Sequence, residues 1–273
     1  MDREQIASLI VDRLDAKSND IYSLIHKTNS DVGYFYIDDL LPSDFALKIF
    51  KSFPSTKELV AKKSIRERKY VGAQMNRYNA LIEESIYAFQ DKRIVDFIAK
   101  AFGLNAVYPD PHLYAGGISI MKKGDFLNPH LDNSHDKDLK KWRVLNLLYY
   151  VTPDWDIENG GNLEIWNSES DSKKATVHSK FNRLVVMTTH DKSWHSVSPI
   201  EYNGARCCIS NYYFSDFPSK EKQAFHVTSF RGRPGQKFYN IVLRFDNHIR
   251  MFIRKIFRYG IGAQSHIYKN KKD

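Results

Sequence analysis

The residues most suited to chemistry lie in the segment NPHLDN (128–133), where a histidine and an aspartate stand two positions apart. In a β-strand, positions i and i+2 point to the same face, so His130 and Asp132 are predicted to project side by side. Such a pair is often a surface hydrogen bond, but it can also supply two metal ligands. An iron ion that activates oxygen uses two histidines and one carboxylate and keeps other positions open. The metal interpretation therefore requires a histidine from another strand.

Three histidines compete for that third position. His195 lies in WHSVSP, between the strand-like segments 181–187 and 205–214, and is the preferred ligand. His190, in TTHDKS, is predicted to be a loop residue. His135 lies in the charged segment DNSHDKDLKK, and an HxDxxH arrangement with it would suit zinc. The choice of His195 depends on structural context, since a motif alone does not establish a site.

Two further polar residues lie within apolar segments. Arg206 begins the otherwise apolar run CCISNYYF, eleven positions past His195. A guanidinium that enters a barrel interior needs a carboxylate partner, and a dicarboxylate ligand could provide it. The alternative is that Arg206 lies at the end of the strand, where its guanidinium remains exposed to solvent. Tyr150, the second tyrosine of LLYYV, would need a hydrogen-bond partner if its phenol is buried, unless the hydroxyl reaches the surface.

The elements that must position these residues change in character along the chain. Helices are predicted in the first part, at 3–28, from Pro42–Ser43, at 79–89 and at 91–102, with a short strand at 34–41 and a basic loop at 62–79. Runs of β-forming residues follow, at 114–121, 142–151, 162–167, 181–187 and 205–214. Turn-forming segments at 153–161 and 202–205 separate some of them. Short strands with such turns favour a sandwich or barrel.

We accordingly divide the chain into three parts. Residues 1–110 form a helical buttress with the first strand, part of the same domain as the core at 111–217, and residues 218–273 form a basic helical extension. A helix at 236–258 carries an apolar stripe, with most of its basic residues elsewhere. Such a stripe usually packs on the domain core, which is the favoured interpretation. Alternatively, it makes peripheral contact with an anionic membrane or binds a partner.

Composition narrows the class of protein. With 273 residues, 42% of them hydrophobic, the chain can form a sizeable core, and its net charge of +9 favours anionic partners. The adjacent Cys207 and Cys208 are predicted to be buried thiols in a reducing compartment. The sequence has no signal-peptide pattern and no uncharged apolar run of about eighteen residues, so we expect a cytoplasmic protein, peripheral to the membrane if the 236–258 helix binds one. Nucleic acid is disfavoured because no known binding motif occurs.

The order of these segments carries a resemblance to a known family. The series HLDN, LLYYVTPDWDIENGGNLEIW, FNRLVVM, WHSVSP and RCCISNYYF, within residues 114–214, resembles the catalytic core of the iron- and 2-oxoglutarate-dependent dioxygenases. It is most similar to their prolyl 4-hydroxylase-like branch. The resemblance implies a mainly β fold with flanking helices around a double-stranded β-helix, the jelly-roll or cupin-like core. Gly160 and Gly161 match a tight turn and are interpreted as structural.

The resemblance also implies roles for individual residues. His130, Asp132 and His195 match the catalytic iron ligands. Arg206 matches the basic residue that pairs with the distal carboxylate of 2-oxoglutarate, and Tyr150 matches a tyrosine that assists it. The cofactors implied are Fe(II) and 2-oxoglutarate, with ascorbate as a reductant.

The implied reaction couples oxidative decarboxylation of 2-oxoglutarate with O2 to hydroxylation of a substrate. That substrate is unidentified: a sugar acid, another small metabolite or a protein side chain, with anionic molecules favoured. Ile120 stands where some prolyl hydroxylases have tyrosine, and the loop after HLDN is longer, so prolyl hydroxylation is not assumed. The alternatives are a non-catalytic cupin-like barrel that binds a metal or sugar, and a membrane-surface adaptor acting through the basic C-terminal helix.

Overall fold

One antiparallel sheet forms the centre of the structure, a computed structural model that describes residues 1–28, 32–168, 172–257 and 266–269. Its strands are β1 (Tyr34–Ile37), β2 (Val60–Lys63), β3 (Glu67–Gly72), β4 (Val107–Pro109), β5 (Gly117–Lys122), β6 (Phe126–Leu131), β7 (Trp142–Tyr150), β8 (Leu163–Trp166), β9 (Lys173–Val177), β10 (Arg183–Thr188), β11 (His195–Val197), β12 (Ala205–Ser215) and β13 (Ser229–Phe230). The helices are α1 (Arg3–Ala16), α2 (Ser18–Thr28), α3 (Ser43–Lys51), α4 (Ala80–Ala88), α5 (Lys92–Ala101) and α6 (Lys237–Ile256).

The strand order explains how distant segments meet. It runs β1-β10-β7-β12-β5-β3-β6-β11-β8-β9, with β2 beside β3, β4 beside β12 and β13 beside β6. The long strand β12 bonds to β5 along one edge and to β7 along the other, because its near-continuous burial suits a central strand. The sheet curls into a half-barrel with helices around it. The predicted mainly β architecture with flanking helices is confirmed.

The N-terminal helices cover part of the sheet with apolar side chains. Residues of α1, α4 and α5, among them Ile10, Ile82 and Ile94, belong to one buried cluster with strand residues such as Leu147 and Val186. The predicted helix 3–28 is in fact two helices, α1 and α2, separated at position 17. The residues that follow the break, Ser-Asn-Asp, bond readily to the backbone outside helical geometry and favour such an interruption.

The segment 62–79 is not the loop that the sequence predicted. Strands β2 and β3 form a hairpin in which Lys62 lies opposite Lys69 and Lys63 lies opposite Arg68. Strand β3 also bonds to β5 and β6, so it is part of the sheet. The sequence did not reveal these strands because both faces of the hairpin carry charged side chains. The alternation of polar and apolar residues that marks a half-buried strand is therefore absent.

The helix α6 lies with its apolar stripe outward, so the favoured prediction that this stripe packs on the core was wrong. Leu243 is its one buried hydrophobic residue within the described ranges. The inner side of the helix is polar because the surface beneath it offers backbone and charged groups: Asn247 bonds to both the amide and the carbonyl of Phe230, and Asp246 pairs with Arg66. The predicted end, residue 258, lies outside the described residues. No described helix is both long and apolar enough to cross a bilayer.

Candidate active site

Two neighbouring strands bring three side chains to one point. His130 lies at the end of β6, Asp132 follows that strand directly, and His195 begins β11, where it is paired with His130. Nε2 of His130 lies 3.6 Å from Oδ1 of Asp132, and Nε2 of His195 lies 3.7 Å from Oδ2. One ligand atom from each residue can be chosen so that all lie within 4.8 Å of one another. A single ion could therefore contact all three.

Backbone carbonyls fix the orientation of both imidazoles. Nδ1 of His130 lies 3.0 Å from the carbonyl oxygen of Asn128, and Nδ1 of His195 lies 2.9 Å from that of Ser193. If each Nδ1 carries the proton and donates it, the lone pair of each Nε2 points to the shared centre. This is the outer hydrogen bond by which proteins commonly orient histidine ligands.

The electrostatics of the three residues also suit a cation. Burial alone would raise the pKa of Asp132, but the adjacent imidazole of His130, the nearby His195 and the charge of Arg143 hold that pKa well below its ordinary value. Burial, with the neighbouring His130, lowers the pKa of His195 to about 4, so this imidazole is neutral at neutral pH. Asp132 Oδ2 is buried without a hydrogen-bond partner among the described residues. A buried, charged and unsatisfied oxygen beside the neutral imidazole of His195 is suited to a metal ion.

The rival histidines lie elsewhere. His190 is buried and accepts a hydrogen bond from the Lys192 amide through Nδ1. The ring of His135 packs between Trp142 and Phe225. Within the described ranges, neither belongs to a group of three possible metal ligands, and the one such group contains His195.

A cavity of about 350 Å³ includes this centre and continues to Arg206 and Tyr150. Both side chains are buried, and the guanidinium carbon of Arg206 lies 5.2 Å from the centroid of the Tyr150 ring. The Tyr150 hydroxyl and Arg206 Nε have no hydrogen-bond partner among the described residues, while Arg206 Nη2 donates to the sulfur of Met121. An unpaired buried guanidinium and phenol in one cavity fit a ligand carboxylate.

The turn before β8 makes room for this arginine. A Cβ added to Gly161 would lie 2.8 Å from Arg206 Cδ and 2.4 Å from Ile200 Cδ1. Gly161 also has φ +70°, a backbone conformation that favours glycine. The residue predicted to be merely structural is therefore part of the wall that seats Arg206.

Sequence reasoning missed two residues beside the centre. Arg143 is only 1% exposed, and its Nη1 lies 3.8 Å from Asp132 Oδ1, with its guanidinium over the Tyr212 ring. The signal that identified Arg206, a lone arginine in an apolar strand, was equally present in WRVLNLLYY. Phe230 stacks on His130 with ring centroids 5.2 Å apart. No local signal pointed to Phe230, because a distant segment brings β13 to β6.

The comparisons with known proteins agree with this geometry. Residues 116–214 match the family model described as 2OG-Fe(II) oxygenase superfamily. No curated protein matches the chain. Among solved structures, a Pseudomonas putida prolyl-4-hydroxylase is 15% identical, with a TM-score of 0.54, over 71% of this chain and 98% of that one. A prolyl hydroxylase from Trichoplax adhaerens, solved with a hypoxia inducible factor peptide fragment, is 17% identical, with a TM-score of 0.53, over 74% and 92%.

A third similar structure extends the match along the chain. A prolyl 4-hydroxylase from Phytophthora capsici is 14% identical, with a TM-score of 0.54, and the alignment covers 93% of this chain and 80% of that one. At such identities the similarity shows the fold, and it confirms the predicted double-stranded β-helix core.

Proposed function

We propose that this chain is a 2OG-Fe(II) oxygenase, which couples decarboxylation of 2-oxoglutarate to hydroxylation of an anionic substrate. The observation that carries this proposal is the single cavity shared by the His130–Asp132–His195 cluster and the unpaired Arg206 and Tyr150. A barrel that only binds a metal has no reason to bury a guanidinium without a partner.

In this proposal each residue has a defined task. His130, Asp132 and His195 hold the iron, and Arg206 with the Tyr150 hydroxyl holds the distal carboxylate of 2-oxoglutarate. When bound, the two cofactors supply the oxidising chemistry, which converts 2-oxoglutarate and O2 to succinate and CO2 and delivers one oxygen atom to the substrate. The protein orients the cofactors and substrate and excludes water from the site. The nearly complete burial of all five side chains suits this task. No side chain is required as a general base.

The cavity mouth supports an anionic substrate. Lys62 and Lys69 lie directly opposite each other on the β2–β3 hairpin, and both line the cavity. Like charges at opposed positions destabilise a hairpin, and the neighbouring Glu67 offsets only one of these two, so an anionic substrate would add a favourable contact. Lys69 is paired with Glu67 at 2.9 Å, but Lys62 has no carboxylate within ion-pair distance among the described residues. Lys62 is therefore the cation best placed to receive a substrate charge.

Two other cations at the mouth share one carboxylate. Arg66 and Arg250 both pair with Asp246 of α6, which leaves this group with one net positive charge. They shape the opening and add to the positive charge of the hairpin lysines. A sugar acid, another carboxylated metabolite and an acidic peptide all carry a charge that this site could bind.

The reaction is tested by measuring succinate from 2-oxoglutarate with ferrous iron and ascorbate, in the presence and absence of a metabolite extract. We expect turnover in the wild type, loss of turnover in His195→Gln, and turnover retained in the matched variant His190→Gln. Circular dichroism establishes that both variants are folded. Absence of succinate from folded wild-type protein, with and without extract, would instead favour the metal- or sugar-binding barrel.

The substrate class is tested by fractionating the extract on an anion-exchange resin. The fraction that stimulates succinate formation should be one that the resin retains, and its product should gain the mass of one oxygen atom. With that fraction, Lys62→Gln should raise KM about tenfold, the effect expected for loss of one charge-assisted contact, with little change in kcat. The control is Lys63→Gln, on the opposite face of the same strand, which should behave as wild type. An unretained active fraction, or equal KM values, would contradict the anionic assignment.

A further inference from the structure

The outward side of α6 is an unusually regular apolar surface. The stripe consists of Phe238, Ile241, Phe245, Ile249, Phe252 and Ile256, all of them exposed. At 3.6 residues per turn these positions fall within an arc of roughly 80° along the whole helix. Phe238, Phe245 and Phe252 are 74%, 68% and 63% exposed, so the described residues leave the aromatic rings largely uncovered.

A row of positive charge lies beside this stripe. Lys237, Arg244 and Lys255 are exposed and, by the same helical geometry, lie on one flank of it. None of the three has an ion-pair partner among the described residues. Asp246 is the one acidic residue of α6, and it is turned inward, towards Arg66 and Arg250. The outward surface of the helix is therefore apolar and basic, without negative charge.

The inner side of α6 is fastened to the wall of the active site. Asn247 makes two hydrogen bonds with the backbone of Phe230, the residue that stacks on His130. Arg250 donates to the carbonyl of Thr228 at 2.6 Å and lines the cavity. The exposed stripe is thus presented by a helix that is held on its other side.

We propose that α6 docks on an anionic membrane surface, with the stripe inserted between the lipid headgroups. Charge complementarity selects this occupant: an interfacial helix combines phenylalanine and isoleucine on one face with lysine and arginine at its flank. A second copy of the chain fits less well. In a symmetric dimer the basic rows of the two α6 helices would both enter the interface, and α6 has no outward acidic side chain to pair with them. Docking would place on the bilayer a helix whose inner side lines the cavity through Arg250. The docking does not depend on the proposed reaction.

The test is flotation of the full chain with vesicles of phosphatidylcholine alone or mixed with phosphatidylglycerol. We expect binding to the mixed vesicles and a loss of roughly tenfold or more in the double variant Phe245→Ser/Phe252→Ser, because two exposed rings leave the interface. The matched control, Tyr202→Ser/Phe217→Ser, removes two exposed aromatic residues elsewhere and should bind as wild type. Arg244→Gln/Lys255→Gln should weaken binding to the mixed vesicles.

Three results would overturn the proposal. The wild type could fail to float with either vesicle, or the stripe variant could float as well as its control. Alternatively, sedimentation velocity could show a wild-type dimer that Phe245→Ser/Phe252→Ser converts to monomer, which would make a second copy the occupant. Succinate formation measured without vesicles should be the same for the stripe variant and the wild type, so failure of docking and failure of the oxygenase reaction are separable.

Discussion

The substitution Gly161→Ala should weaken 2-oxoglutarate binding without replacing any residue that is proposed to hold the ligand. The new methyl carbon would lie 2.8 Å from Arg206 Cδ and 3.3 Å from its Nε, closer than side chains tolerate, so the guanidinium must move. A charge-assisted hydrogen bond contributes about 1.5–3 kcal/mol, which corresponds to a rise of roughly ten- to hundredfold in Kd.

A control substitution at a second glycine distinguishes the displacement of Arg206 from the effect of backbone strain. Gly103 has φ +64°, close to the +70° of Gly161, but an added Cβ there meets nothing within 4 Å. Both alanine variants should lose about 1–2 kcal/mol of unfolding free energy because the backbone conformation disfavours a side chain. Gly161→Ala should lose roughly 1–3 kcal/mol more, from overpacking against Ile200 and Arg206. Urea unfolding measures both losses.

The decisive measurement is calorimetric titration of 2-oxoglutarate into anaerobic, Mn(II)-loaded protein. Gly161→Ala should bind 2-oxoglutarate more weakly, whereas Gly103→Ala should bind it as the wild type does. Equal affinities in the two variants would refute the assignment of Arg206 as the carboxylate partner, even if Gly161→Ala proved the less stable protein.

Two further predictions concern stability. In the presence of Mn(II), 2-oxoglutarate at about a hundred times its own dissociation constant should raise the unfolding free energy by roughly 2.7 kcal/mol. Scanning calorimetry measures this rise, and His195→Gln should abolish it. Burial raises the pKa of Asp38, but hydrogen bonds from Arg183 and Lys180 outweigh it and lower the pKa from 3.8. The stabilisation from Asp38 is complete above the pKa of the unfolded state and is lost as the pH falls through the pKa of the folded state. Asp38→Asn should therefore lower the unfolding free energy in urea by about 1 kcal/mol at neutral pH, and by less in acid. The control Asp44→Asn, at an exposed carboxylate, should change it by almost nothing.

Local pattern was enough to predict the parts of the site that lie close together in the chain. The two-residue spacing of His130 and Asp132 determines that both point from the end of one strand. The meeting of His195 with His130 is a pairing of distant strands, which no local rule establishes. The position of His195 between two strand-like segments favoured it, and the order of segments in a known family supported it. Arg143 was missed although its apolar strand carried the same signal as that of Arg206.

Two of the wrong predictions, those for α6 and for the β2–β3 hairpin, have a common physical origin. Periodicity reports that an element has two unlike faces, but it does not report which face meets the protein. On α6 the apolar face was assigned to the core, whereas Asn247 and Asp246 of the polar face make the contacts. In the β2–β3 hairpin a charged face lines a cavity, and the usual contrast between water and core is absent.

That hairpin has a consequence for selectivity. Lys69 stands on β3, which is bonded to β2, β5 and β6, so its backbone is held before any molecule arrives. Ordering a flexible lid would cost about 1–2 kcal/mol for each residue fixed, and a prearranged strand avoids that loss. A fixed backbone limits the range of molecules that the site can hold, however. In the proposed reaction, the distance between the Lys69 backbone and the metal centre would restrict which carbon of an anionic substrate is oxidised, to within the reach of the flexible lysine side chain.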